Sequence, residues 1–265
     1  MTPAELLALF HREVRLGPVQ PSPHVVVERV GPVRRAYHED PAVPRAMIEA
    51  PQGLGPDPDE VITGERDFFA ARGQRVEFKV YSYDEPADLP DRLVAAGFVA
   101  EDVEALILGE AAAVLAGASP LPPGLRLRDV DGRADFDRID ALHEQVWGDR
   151  SEGYVDNLVR ETRDHPDRIV VTVVEEVARG RVVSSARLGL EGSSFAGLWG
   201  GATLAQWRGQ GLYRALVAHR ARIALDRGVP YLRVDASADS APILARLGLH
   251  QVATTTPFIL DPRHR

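Results

Sequence analysis

The stretch from Phe195 to Arg227 constrains the fold more than any other part of the chain. Residues 195–204 read as a strand, Gln206 to Gly211 as a glycine-bearing turn, and residues 209–227 as a long amphipathic helix stopped by Gly228. A strand that runs into a helix through so short a turn leaves the first amide N–H groups of the helix without internal partners. The helix dipole adds partial positive charge at the same end. Gly209 and Gly211 have no Cβ to hold a ligand off the backbone. The turn therefore points to a phosphate or pyrophosphate site, with Arg208 and Arg214 as charged donors beside it. It is not a Walker A loop, because the Gly-Lys-Ser/Thr ending is missing. It is not a dinucleotide fingerprint either, because Arg214 stands where the third glycine would.

The rest of the C-terminal half supports a mixed α/β layer structure. A strand is expected at 125–130, helices at 134–147 and 152–164, and strands at 168–177 and 181–190 joined by a turn at Arg179-Gly180. After the long helix come a strand at 231–236, a short helix at 241–247 and a last strand at 251–260. Residues 117–124, Gly-Ala-Ser-Pro-Leu-Pro-Pro-Gly, can continue neither a helix nor a central strand. The expected organisation is thus an N-terminal domain over 1–117, a linker over 118–123 and a second domain over 124–265. In the first of these, Thr2, Pro3 and Glu5 form a capping-box start. Strands are expected at 24–30, 76–82 and 104–108, and helices around 65–72 and 89–96. The proline- and glycine-rich residues 41–60 read as a long loop.

The pattern Gln206-x-x-Gly209-x-Gly211 resembles motif A of the GCN5-related N-acetyltransferase (GNAT) superfamily. Downstream, Ile243-Leu-Ala-Arg-Leu-Gly-Leu249 is similar to the Leu-Tyr-x-Lys-Leu-Gly-Phe segment of that family, at the family's usual spacing. The resemblance covers about residues 124–260. It implies a GNAT-like mixed-sheet fold and acetyl-CoA as acyl donor, with the pyrophosphate on Arg208, Gly209, Gln210, Gly211, Leu212, Tyr213 and Arg214. It also implies that backbone at Gly201, Ala202 and Thr203 meets the acyl carbonyl and pantetheine arm. The paired Gly200 and Gly201 suggest a bulge there.

The sequence departs from the family at one chemically important place. Where many members carry the tyrosine that protonates the departing thiolate, this chain has Leu244, and Ser237 stands at the family's frequent asparagine. Ser237 and Ser240 are then the polar groups near that position, as proton relays or simply as caps of the following helix. Glu144 and His143, on the helix pair that borders the acceptor pocket in the family, are candidates for handling the amine proton. Tyr154, Glu191 and Asp235 are further ionisable candidates. Trp147 and Trp199 are pocket or core residues, and His219 a surface or packing residue.

The N-terminal half looks like the closing part of a second such unit. Phe68 to Tyr81 and Leu225 to Val234 each run from a helix end through a glycine into a strand. Leu93-Val-Ala-Ala-Gly-Phe98 parallels Leu244-Ala-Arg-Leu-Gly-Leu249. No Gln/Arg-x-x-Gly-x-Gly occurs in residues 1–67, so the expectation is a tandem with an incomplete N-terminal copy.

Composition sets the remaining limits. The chain has no cysteine, which excludes thiol nucleophiles and cysteine metal sites, and no metal is expected. No apolar run is long enough to span a bilayer, and charges within the first residues argue against a signal peptide, so the expectation is a cytoplasmic protein without membrane contact. Residues 1–120 carry 20 acidic and 11 basic side chains, and residues 121–265 carry 19 and 20. That balance disfavours nucleic acid and favours a cationic acceptor by electrostatics alone. Lys79 is the single lysine among 31 basic residues, a bias read as compositional. The functional expectation is an acyl-CoA-dependent N-acetyltransferase in which an amine attacks the thioester directly. The acceptor is an amine-bearing small molecule or a protein N-terminus or lysine, and the protein a monomer or homodimer. A non-catalytic acyl-CoA sensor and a structural interaction protein are the alternatives.

Overall fold

The computed structural model describes residues 1–43, 46–117, 120–148 and 153–263. Helix α1 (Pro3–Phe10) continues into a π turn at His11–Arg15. It is followed by β1 (Val25–Val30), β2 (Val33–His38), β3 (Ala46–Glu49), α2 (Pro58–Arg72), β4 (Val76–Tyr81), α3 (Leu89–Ala95), β5 (Val99–Ala100), β6 (Glu104–Glu110) and α4 (Ala111–Ala116). Then come β7 (Leu125–Val130), α5 (Arg133–Trp147), α6 (Tyr154–Asp164), β8 (Ile169–Glu176), β9 (Arg181–Leu190) and β10 (Phe195–Thr203). A 3-10 turn at Ala205–Trp207 leads to α7 (Leu212–Asp226), β11 (Tyr231–Ala236), α8 (Ala241–Arg246) and β12 (His250–Leu260). The expected capping box is formed: Thr2 N–H donates to Glu5 Oε2 at 2.8 Å and Glu5 N–H to Thr2 Oγ1 at 3.3 Å. The stretch expected as a loop over 41–60 differs from that reading. It contains β3, held by β2 and β4, and the start of α2, whose Pro58 sits in the first turn where no N–H is needed.

Two units can be distinguished. One comprises Met1–Leu6, Ile107–Val234 and Ser240–His250; the other comprises Leu7–Leu106, Asp235–Asp239 and the residues from Gln251 onward. The proline-rich segment expected as a linker falls inside the first unit, and residues 118–119 lie outside the described ones.

In the first unit β7, β8, β9 and β10 pair antiparallel in sequence order, and β10 pairs parallel with β11. A parallel pair needs a crossover, and α7 supplies it. Phe136, Ile139 and Leu142 of α5, Leu158 of α6 and Leu212 and Leu216 of α7 pack with Val171, Val173 and Val183 of the sheet. Arg220, near the middle of α7, is buried with them. Its Nε donates to Leu216 O at 3.1 Å and its Nη1 to Arg187 O at 2.9 Å, fastening the helix to β9.

The second unit repeats the pattern. β1, β2 and β3 are antiparallel, β3 and β4 are parallel with α2 as the crossover, and β12 pairs antiparallel with β4 and β5. Its core joins Phe69, Phe78, Phe98, Leu89, Leu93 and Ile48. Arg15 forms a bidentate ion pair with Asp84 at 2.6 and 3.0 Å, with its guanidinium 3.9 Å from the Tyr81 ring centroid.

Arg220 gives the stability test. Arg220→Ala leaves a void and an unpaired Arg187 carbonyl, and is expected to lower stability by about 3–5 kcal/mol. Arg220→Met keeps the packed volume and is expected to cost less than about 2 kcal/mol. Urea unfolding of the two variants beside the parent measures both.

Candidate functional site

The chemistry-bearing segment lies in the first unit, where β10 runs into α7. Pairing of β10 with β11 extends from Phe195↔Tyr231 to Gly197↔Arg233, and no register pair follows. On its other edge the β9 register shifts between Trp199 and Ala202, which is the bulge expected at Gly200 and Gly201. Gly200 has φ +57, a conformation strained for a residue with Cβ. β10 thus has no β11 register partner beyond Gly197 and bulges from β9 at Gly200 and Gly201, while Ala202 and Thr203 resume pairing with Ser185 and Ser184 of β9.

Beyond the strand, Gly209 and Gly211 have φ +74 and +87. The second is the N-cap of α7 and makes no side-chain cap. The first ladder bond of α7 from this end runs from Ala215 N–H to Gly211 O at 3.0 Å, so the amides of Leu212, Tyr213 and Arg214 precede the ladder. A Cβ built on Gly209 meets nothing within 4 Å, and one on Gly211 meets only Arg214 Nη2 at 3.5 Å. The loop therefore offers open backbone, with exposed Arg208 and Arg214 flanking it. Arg208 Nε is turned back on Thr203 O at 3.2 Å, and Gln210 Nε2 on Gln206 O at 3.1 Å.

Tyr213, from the first turn of α7, reaches across this opening. A Cβ on Gly201 would lie 2.9 Å from its Cε2, so the phenol ring requires glycine there. Its hydroxyl is hydrogen-bonded with Ser240, and burial raises its pKa, so it is a neutral phenol at physiological pH. Ser240 occupies the N-cap position of α8 but makes no side-chain cap, and this corrects the capping reading for that residue. Ser237 is exposed, and Leu244 is fully buried in the position where the family carries its tyrosine.

The other ionisable candidates divide sharply. Glu144 is on the exposed face of α5. Glu191 is paired with Arg233, and His219 Nε2 lies 2.9 Å from Asp129 Oδ1. Asp235, in the second unit, is bound to Lys79 Nζ at 2.5 Å. His143, on α5 of the first unit, is buried, with Nε2 3.3 Å from Ser185 Oγ of β9 and ring centroid distances of 5.1 Å to Tyr154 and 4.4 Å to Trp147. Burial, reinforced by Arg187, lowers the His143 pKa to about 4. It is a neutral imidazole, unsuited to take a proton from an amine. Arg187 and Ser185, both on β9, were not singled out from the sequence. A basic residue in an otherwise small and apolar strand, Ser184-Ser-Ala-Arg187-Leu, was the available signal.

The second unit holds a counterpart of the glycine loop that the sequence reading passed over. Between β3 and α2, Gly53 and Gly55 both have φ +77, the conformation of Gly209 and Gly211. The surroundings are opposite in character. Leu54 N–H is already bonded to Glu85 O at 3.2 Å, and a Cβ on Gly53 would lie 3.2 Å from Glu85 Cβ. Asp57, Asp59 and Glu60 surround the start of α2 and repel an anion.

This architecture is the mixed α/β fold of the GCN5-related N-acetyltransferases. A GCN5-related N-acetyltransferase from Kribbella flavida matches at a TM-score of 0.67 and 19% identity, over 98% of this chain and 94% of that one. A tandem GNAT protein from the clavulanic acid biosynthesis pathway, solved without acetyl-CoA, matches at 0.63 and 14% identity, over 98% and 95%. A GCN5-related N-acetyltransferase from Sphaerobacter thermophilus matches at 0.61 and 16% identity, over 87% and 77%. No protein-family model matches the sequence, and no curated protein does. Among the described residues no helix is long and apolar enough to cross a membrane.

The buried imidazole has a measurable consequence. The unfolded chain takes up the His143 proton near pH 6.5, whereas the folded protein resists it until about 4. Lower pH therefore favours the unfolded state, and stability present above pH 6.5 is lost as pH falls towards 4, by at most about 3 kcal/mol. Denaturant unfolding of the parent and of His143→Gln across this window is expected to show a shallower acid loss in the variant.

Proposed function

We propose that this chain is an acyl-CoA-dependent N-acyltransferase that moves acetyl from acetyl-CoA to an amine in a ternary complex. The observation that carries this reading is the set of α7 amides above Gly209–Gly211, beyond the end of a β10 strand that parts from β11 after Gly197 and bulges from β9 at Gly200 and Gly201. Amides of Leu212, Tyr213 and Arg214, with Arg208 and Arg214 at the rim, suit a pyrophosphate. The backbone of Gly201, Ala202 and Thr203 suits the pantetheine arm and the acyl carbonyl, where fixed N–H donors stabilise developing negative charge. The acyl donor supplies an activated carbonyl. The amine nitrogen bonds to it, the carbon–sulfur bond breaks, and CoA leaves as the thiol. With no cysteine in the chain, no thiol-bound acyl-enzyme intervenes.

Proton handling follows from the same residues. The Tyr213 phenol, held by Ser240 beside Gly201, provides the hydroxyl that Leu244 cannot. On the amine side His143 is too weak a base, so the acceptor must arrive largely as free amine. The second unit is read as a GNAT-like copy that keeps the loop backbone but not its anion affinity, because Glu85 fills the loop and Asp57, Asp59 and Glu60 surround it.

Calorimetric titration with CoA tests the site. One CoA per chain is expected for the parent and none for Gly211→Asp, which sets a carboxylate against the pyrophosphate while circular dichroism remains unchanged. Two sites, or undiminished binding by the variant, would refute the assignment.

Thiol-release assays test the proton path. The rate is expected to rise from about pH 6 to about 9 with the free-amine fraction of an acceptor of pKa near 10. Tyr213→Phe is expected to lower kcat by about 100-fold, within the range for a lost general acid. Ser240→Ala and Ser237→Ala are each expected to cost less than about tenfold.

A further inference from the structure

The guanidinium of Arg187 has no assigned task in acyl transfer. Its Nε is buried and has no hydrogen-bond partner, and Arg187 enters no ion pair among the described residues. It projects from β9 opposite Trp199, with its carbon 5.6 Å from the Tyr154 ring centroid. A Cβ on Gly200 would come within 3.2 Å of Nε, so the head group lies against the bulge itself. The Tyr154 hydroxyl is a second buried polar atom without a partner. An arginine can only donate, and burial raises the Tyr154 pKa, so this hydroxyl also carries its proton. Two unanswered donors, one of them cationic, converge beside the strand end. Buried donors without partners are rare and costly, and together they ask for an anionic acceptor of hydrogen bonds.

Resting on the acyltransferase reading, we propose that Arg187, with Tyr154, binds a carboxylate of the acceptor, and that the acceptor is therefore a carboxylate-bearing amine of the amino acid class. A planar carboxylate matches the guanidinium fork. Held there, the carboxylate leaves the neighbouring amino nitrogen facing the bulge at Gly200 and Gly201. The neutral His143 and the Ser185 hydroxyl, hydrogen-bonded beneath it, add no opposing charge. The acidic balance of residues 1–120, which by itself favours a cationic acceptor, is overruled locally. A free ammonium compound without a carboxylate meets a like charge in Arg187.

Paired ligands test this. CoA-saturated protein is titrated, with NMR detection, with N-acetylphenylalanine and with N-acetylphenethylamine, which differ by the carboxylate alone. The corresponding free amines are compared in the thiol-release assay. The parent is expected to favour the carboxylated member by about tenfold or more in both assays, the effect of one charged hydrogen-bonding pair. Arg187→Gln is expected to erase that preference while leaving CoA affinity and thermal stability near the parent values, and Arg187→Lys to restore part of it. Equal affinity of the parent for both members, or no binding of either, overturns the carboxylate assignment. So does an Arg187→Gln variant that slows every amine equally, which would place the guanidinium on the acyl group instead. Absence of CoA binding would overturn the acyltransferase reading itself and is read out separately by calorimetry.

Discussion

One buried cation ties together the parts on which the candidate site depends. Arg220 lies within the core of the first unit, bonded to a carbonyl of its own helix and to the carbonyl of Arg187. Desolvation lowers its pKa to about 10, which still leaves it charged at neutral pH. Burying the charge is costly and Nη2 is left without a partner, so the Nε and Nη1 bonds supply the compensation. Those bonds fix the register of α7 against β9. At its N-terminus α7 presents the open amides, and at Arg187 β9 presents the unanswered guanidinium. Holding a helix by its middle to one strand thus sets the distance between its open N-terminal amides and a second charged position.

The two units are variations on one plan, and the glycines mark it. In the first unit, left-handed glycines occur at 209, 211, 228 and 248; in the second, at 53, 55, 73 and 97. Each set runs through the loop before the crossover helix, the end of that helix, and the end of the short helix after the next strand. The helix ends close alike: Phe98 N–H bonds to Leu93 O at 3.0 Å and Leu249 N–H to Leu244 O at 3.2 Å. What differs is charge and occupancy. A backbone nest remains a nest whatever surrounds it, but its affinity for anions depends on free amides and on the neighbouring field.

How far the chain could be read in advance follows the range of the interactions. The Thr2–Glu5 box, the hairpin at Arg179-Gly180 and the helix after Gly211 rest on neighbours in sequence, and each stands where it was expected. Strand β3 did not announce itself. Four residues between prolines become a strand because β2 and β4 flank them, which no local pattern reveals. Pro58 falls in the stretch read as a loop, although it opens α2. The loop glycines at 53 and 55 were hidden within that same misread stretch. Ser240 was read as a proton relay or a helix cap; it makes no side-chain cap, and a phenol from α7 reaches its hydroxyl. The cluster of His143, Tyr154 and Arg187 draws on three separate elements and exists only once the sheet has formed.

The pairing of Lys79 with Asp235 has a consequence for the surface. Since Lys79 is the only lysine in the chain and its ammonium is engaged at 2.5 Å in a buried ion pair, no ε-amine is presented to solvent. Thioesters and other acylating reagents modify proteins chiefly through free lysine amines. Arginine supplies the positive charge here instead and stays protonated and unreactive towards acyl groups at physiological pH. In the proposed acyltransferase, this pairing leaves no lysine side chain open to stray acylation by the activated donor.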